Sequence, residues 1–145
     1  MDTSTLLGFL LLLGIPLSAI ASFALERRRR ESMPGTKPYT WGIFTGLLNI
    51  VFGVAFLAGA IFNLLTRSTD HAVANVFVGL AIGIIEMLAG YYTIQRRRVA
   101  FVIGTIISLN PVWWIANAIY GRNRWGELIG DDEPDARDVE PTHAS

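Results

Sequence analysis

The chain has 145 residues, 52% of them hydrophobic, with 12 basic side chains balanced by 12 acidic ones. That length suits one domain, and the absence of cysteine removes disulfides, thiolate catalysis and cysteine metal sites. The formal charge of zero hides a segregation, with arginines in two short runs and most acids gathered after Gly126.

Apolar residues fall into four blocks, at about 6–25, 39–65, 72–94 and 99–120. Each is long enough to cross roughly 30 Å of hydrocarbon as a helix, which takes about 20 residues. A helix satisfies its own backbone polar groups in lipid, so the many Ile, Val and Phe residues do not argue for strands. None of the blocks carries the polar face of a soluble helix. The expected fold is all-α: a polytopic membrane protein with a bundle of four transmembrane helices in residues 1–125. An acidic, disordered tail is expected over 126–145.

The first block opens without a basic n-region, and its arginines follow the apolar stretch, which reads as a span retained in the mature protein. Gly14, Ser18 and Ser22 form a loose row of small residues along it. Arg27, Arg28, Arg29, Arg30 and Lys37 come next, and Arg96, Arg97 and Arg98 follow the third block. Basic residues in short loops favour the cytoplasm. Loops 26–38 and 95–98 are therefore expected to be cytoplasmic and the N-terminus outside. The arginines are expected to anchor topology, with anionic headgroup contacts as the alternative role.

The second block carries Gly42, Gly46, Asn49 and Gly53 on one helical face; the third repeats the spacing in Gly79, Gly83, Glu86 and Gly90. Small residues let membrane helices approach closely, and polar ones hydrogen-bond between them. Glu86 is the only ionisable residue well inside any block. A charged side chain at that depth costs about 2.5–3.5 kcal/mol on insertion scales, so it requires a reason. Counted from the cytoplasmic ends of antiparallel spans, Asn49 and Glu86 both fall roughly 12–15 Å deep. They are expected to face each other as an intramembrane polar site. One role is a hydrogen-bonded lock between helices; the other is a proton or cation site. The lock is preferred, because no second carboxylate, membrane histidine or basic partner supports a relay.

The fourth block is interrupted by Asn110-Pro111, and Asn110, Pro111, Trp114 and Asn117 mark a kink or pocket. A proline kinks a helix by removing a donor. The simpler expectation is a kinked full span with the C-terminus outside, which leaves eight basic residues inside against four outside. A chain that turned back at Asn110 would place the tail in the cytoplasm and change that tally to eleven against one. Such a turn needs shelter from lipid.

No Gly-x-Ser-x-Gly, metal-spaced His/Asp cluster or phosphate loop is present. The expectation is no enzyme, no cofactor, no metal and no nucleic-acid partner. The expected function is that of a structural or accessory membrane subunit, or a homo-oligomer, whose partners are the bilayer and other membrane chains. The alternative is a small proton- or cation-coupled transporter or channel with Glu86 as its coupling residue.

Overall fold

A computed structural model describes residues 3–35, 37–66, 70–108 and 110–128. The described residues are all-helical: α1 (Thr3–Ser32), α2 (Thr40–Thr66), α3 (Asp70–Ile94), α4 (Arg98–Ile107) and α5 (Pro111–Arg124). A short 3-10 turn over Trp125–Glu127 follows. The acidic tail from Asp131 to Glu140 lies outside the described residues, as does Arg67. Two helices, α2 and the Val73–Ile94 part of α3, are long and apolar enough to cross a membrane. At 1.5 Å per residue they measure about 40 Å and 33 Å.

Helices α2 and α3 pack antiparallel through their glycines. A methyl group built on Gly53 would lie 2.6 Å from the Gly83 carbonyl oxygen, and one on Gly83 would lie 2.8 Å from the Gly53 oxygen. Gly46 and Gly90 make the same reciprocal approach, and Gly79 meets Ala60 further along. The two backbones are thus in direct contact, which no larger residue would allow. Helix α1 lies along α2: Gly14 meets Val51, and Ser18, Ser22 and Glu26 continue that buried row. Outward, these helices display aliphatic and aromatic side chains such as Leu12, Phe23, Leu65 and Phe77.

The fourth apolar block departs from expectation. Residues 99–120 form no single kinked helix but two short ones, α4 and α5, which run antiparallel as a hairpin. Asn110 is extended, at φ −113° and ψ 110°, as a residue before proline prefers. Its side-chain oxygen accepts hydrogen bonds from the backbone N–H groups of Val112 and Trp113. Pro111 opens α5 where its missing donor costs nothing. The Asn-Pro pair therefore starts a new helix instead of bending an old one.

This reversal brings the end of α5 back to the arginine-bearing end. Arg124 donates to the Pro38 carbonyl, and the Arg98 guanidinium lies over the Trp125 ring. The expectation that the C-terminal segment leaves from the opposite end is thereby corrected. Leu128, beyond the domain limit drawn at 125, is only 1% exposed and packs with Tyr39, Ile43 and Phe101. Between α3 and α4 the chain turns at Arg96, which has φ +70°, a left-handed conformation uncommon for a residue with a side chain. The turn is held by the Arg96 and Arg97 N–H groups, which donate to the Thr93 and Tyr92 carbonyls.

Candidate functional site

Asn49 and Glu86 lie where the two glycine contacts place them. Gly83 and Gly90 both touch α2, and Glu86 sits between them, one turn from each. Asn49 occupies the matching place on α2, between Gly46 and Gly53. Both side chains are 1% exposed. The two residues therefore stand level with each other along the α2–α3 pair.

Their bonding is different from the expected lock. Glu86 Oε2 and Asn49 Nδ2 are each buried with no hydrogen-bond partner, so no bond links the residues through these atoms. The Asn49 amide nitrogen instead lies against Gly104 of α4, in the space a side chain there would occupy. Ala89 borders the same spot, 3.5 Å from where a methyl on Gly104 would stand. Glycine at 104 is what admits the amide, which makes the junction one of three helices. The spacing rows could not reveal this, because Gly104 stands alone in its block.

Chemically, the junction offers one carboxyl oxygen and one amide N–H, both removed from water and unsatisfied. Such groups cost roughly 1–3 kcal/mol each when left unpaired. Among the described residues no three His, Asp or Glu side chains come together as a metal site would require.

A second polar set holds the α4–α5 hairpin to α2. Trp41 Nε1 donates to Asn117 Oδ1 at 3.0 Å, and Asn117 Nδ2 donates to Thr105 Oγ1 at 3.0 Å. Thr105 in turn donates to the Phe101 carbonyl at 2.7 Å. Of the four residues singled out in this block, Asn117 is a buried bridge and Asn110 a helix cap. Pro111 begins α5, whereas Trp114 is exposed and it is Trp113 that stacks against Trp41. Replacing Asn117 with leucine leaves the Trp41 N–H without its acceptor. The expected cost is about 1–3 kcal/mol, read as an earlier chemical unfolding midpoint with a shifted tryptophan emission.

The third cluster surrounds Tyr39, whose ring covers Gly42 so closely that a methyl there would collide with it. Its hydroxyl donates to the Thr93 carbonyl at 2.8 Å. Arg96 and Arg29 stand over the ring at 5.2 and 6.0 Å. Glu26, 4% exposed, binds Arg29 and Arg30 at 3.2 Å each. Exposed Arg27 pairs with Glu31, and Arg28 is exposed on the same helix. The arginine runs thus do more than mark an end: part of them is built into the packing. Glu26 was legible in principle, since it extends the Gly14, Ser18, Ser22 row at the same spacing of four.

No family model matches the chain, and no curated protein and no solved structure is similar to it.

Proposed function

We propose that the protein is a small integral membrane component with a structural or accessory role, working as a subunit of a larger complex or as a homo-oligomer. In this reading α1, α2 and α3 cross the bilayer and the α4–α5 hairpin enters about half of it. With ten residues, α4 reaches only about 15 Å, one leaflet's depth. In the same reading Arg122 and Arg124 share the side of the other arginines, with loops 26–38 and 95–98 and the tail facing the cytoplasm. Only Arg67 then remains opposite, which suits the preference of basic loops for that side.

The single observation that carries an associating role is the hairpin tip. Asn110 and Pro111 are exposed, and Val112 is 74% exposed. At mid-membrane depth, a polar turn needs cover from protein, and the described residues do not supply it. A neighbouring copy or subunit does so in the proposed assembly.

The absence of cysteine makes the test direct. A single Val112→Cys substitution, oxidised in native membranes, is expected to yield a covalent dimer or a disulfide to another membrane protein. Exposed Gly126→Cys, away from the tip, is the comparison and should yield much less. A Val112→Cys protein that stays monomeric and purifies alone in mild detergent would sink the associating role.

A second reading, coupled transport through Glu86, draws support from its buried, unpartnered Oε2 and from the unpartnered Asn49 Nδ2 at the same level of the α2–α3 pair. An acid held at a cost inside a membrane helix suggests a task beyond packing.

A further inference from the structure

Helices α3 and α4 enclose a groove of about 500 Å³ that opens sideways. Its floor is formed by Ala89 and Ala100, both buried, and its walls include Leu88 and Ile103. Tyr92 and Arg97 stand at one end. The groove exists because alanines on both helices leave room where larger side chains would meet. Along α3 it runs from Ile85 to Tyr92, about 10 Å at 1.5 Å per residue. That length lies within one leaflet of a bilayer about 30 Å thick in hydrocarbon.

Charge distinguishes the two ends of this groove. Arg97 lines its mouth, and its chain neighbours Arg96 and Arg98 are held over the rings of Tyr39 and Trp125. The Nε atoms of Arg96 and Arg98 are buried without acceptors. The acids of α1, Glu26 and Glu31, are engaged by arginines of that same helix. A positive mouth above an apolar slot is complementary to an anionic headgroup joined to an acyl chain.

We propose that the α3–α4 groove is a binding site for one anionic glycerophospholipid of the cytoplasmic leaflet. Its chain lies between Leu88 and Ile103, and its phosphate sits at Arg97, in the positive potential of the flanking arginines. The site rests on the membrane reading above. It would make the lipid a structural partner that fills the space between the helices.

The full chain, purified in non-ionic detergent, is mixed with phosphatidylglycerol or phosphatidylcholine of identical chains, and retained lipid is read by native mass spectrometry. Wild type is expected to keep phosphatidylglycerol in preference to phosphatidylcholine. Arg97→Gln should lower that retention roughly fivefold, the effect of one basic residue near an anionic headgroup. Ile103→Trp, which fills the groove, should lower it as well, while exposed Arg28→Gln on α1 should leave it unchanged. Helical circular dichroism checks the fold, and if Ile103→Trp departs from wild type, Arg97→Gln alone decides. Equal retention of both lipids, retention of neither, or equal losses from Arg28→Gln and Arg97→Gln would overturn the site. Alkaline extraction from vesicles separates the two readings. A chain stripped from vesicles loses both, whereas a chain that stays embedded without lipid preference loses only the lipid site.

Discussion

Replacing Gly90 with valine is expected to destabilise the protein by about 1–3 kcal/mol, the usual cost of overpacking. The added carbon would run into the Gly46 carbonyl oxygen, which cannot move without shifting the whole of α2. Ile50, on the same turn of α2, adds to the obstruction, with its Cγ1 2.8 Å and its backbone nitrogen 3.0 Å from the same point. The expected compensation is a wider α2–α3 separation, which also opens the seam around Asn49 and Glu86. Denaturant titration in detergent, followed by far-ultraviolet circular dichroism, reads the loss. Gly8→Val on α1, where nothing lies within 4 Å of the added carbon, should fall within about 0.5 kcal/mol of wild type, as surface changes do. A Gly90→Val protein as stable as wild type would remove the backbone contact from the account of this fold.

Glu86→Met is expected to stabilise the protein by about 1–3 kcal/mol, because it removes a buried oxygen that has no partner. Methionine keeps the length of the side chain and tolerates irregular space. This direction is opposite to what a hydrogen-bonded lock implies, so one denaturation curve separates the two. If Glu86→Met loosens the protein, the lock is restored and a bond to Asn49 must form. If it stabilises, the acid is retained at a cost, and its task is tested in liposomes under proton and cation gradients. Flux present in wild type and absent from Glu86→Met would favour transport over the accessory role; equal behaviour of the two would remove the transport reading.

The parts legible in the sequence were those with a period. Two glycine rows of matching spacing set Asn49 opposite Glu86, and α2 and α3 meet in that register. The helical class followed in the same way, from unbroken apolar runs. The hairpin was not legible to the same degree, since Asn110-Pro111 can bend one helix or separate two. What decides is the capping by Asn110 together with the anchoring of the returning helix through Asn117 and Arg124. Those contacts join residues 76 and 86 positions apart and leave no local signature. Gly104 and Leu128 escaped for a related reason. Each matters through partners distant in sequence, and neither belongs to a row.

Tyr39 is packed by Phe101 and Leu128 and lies against Tyr120 and Arg96, all of which follow it by more than fifty positions. During synthesis α2 and α3 can pair as soon as both exist, since their contacts are near in sequence. The ring of Tyr39 is covered in steps, by Arg96, Phe101 and Tyr120 as they emerge and last by Leu128. Its full burial therefore requires the chain through Leu128: a chain arrested before that residue can pair α2 with α3 yet leaves an open edge at the arginine end.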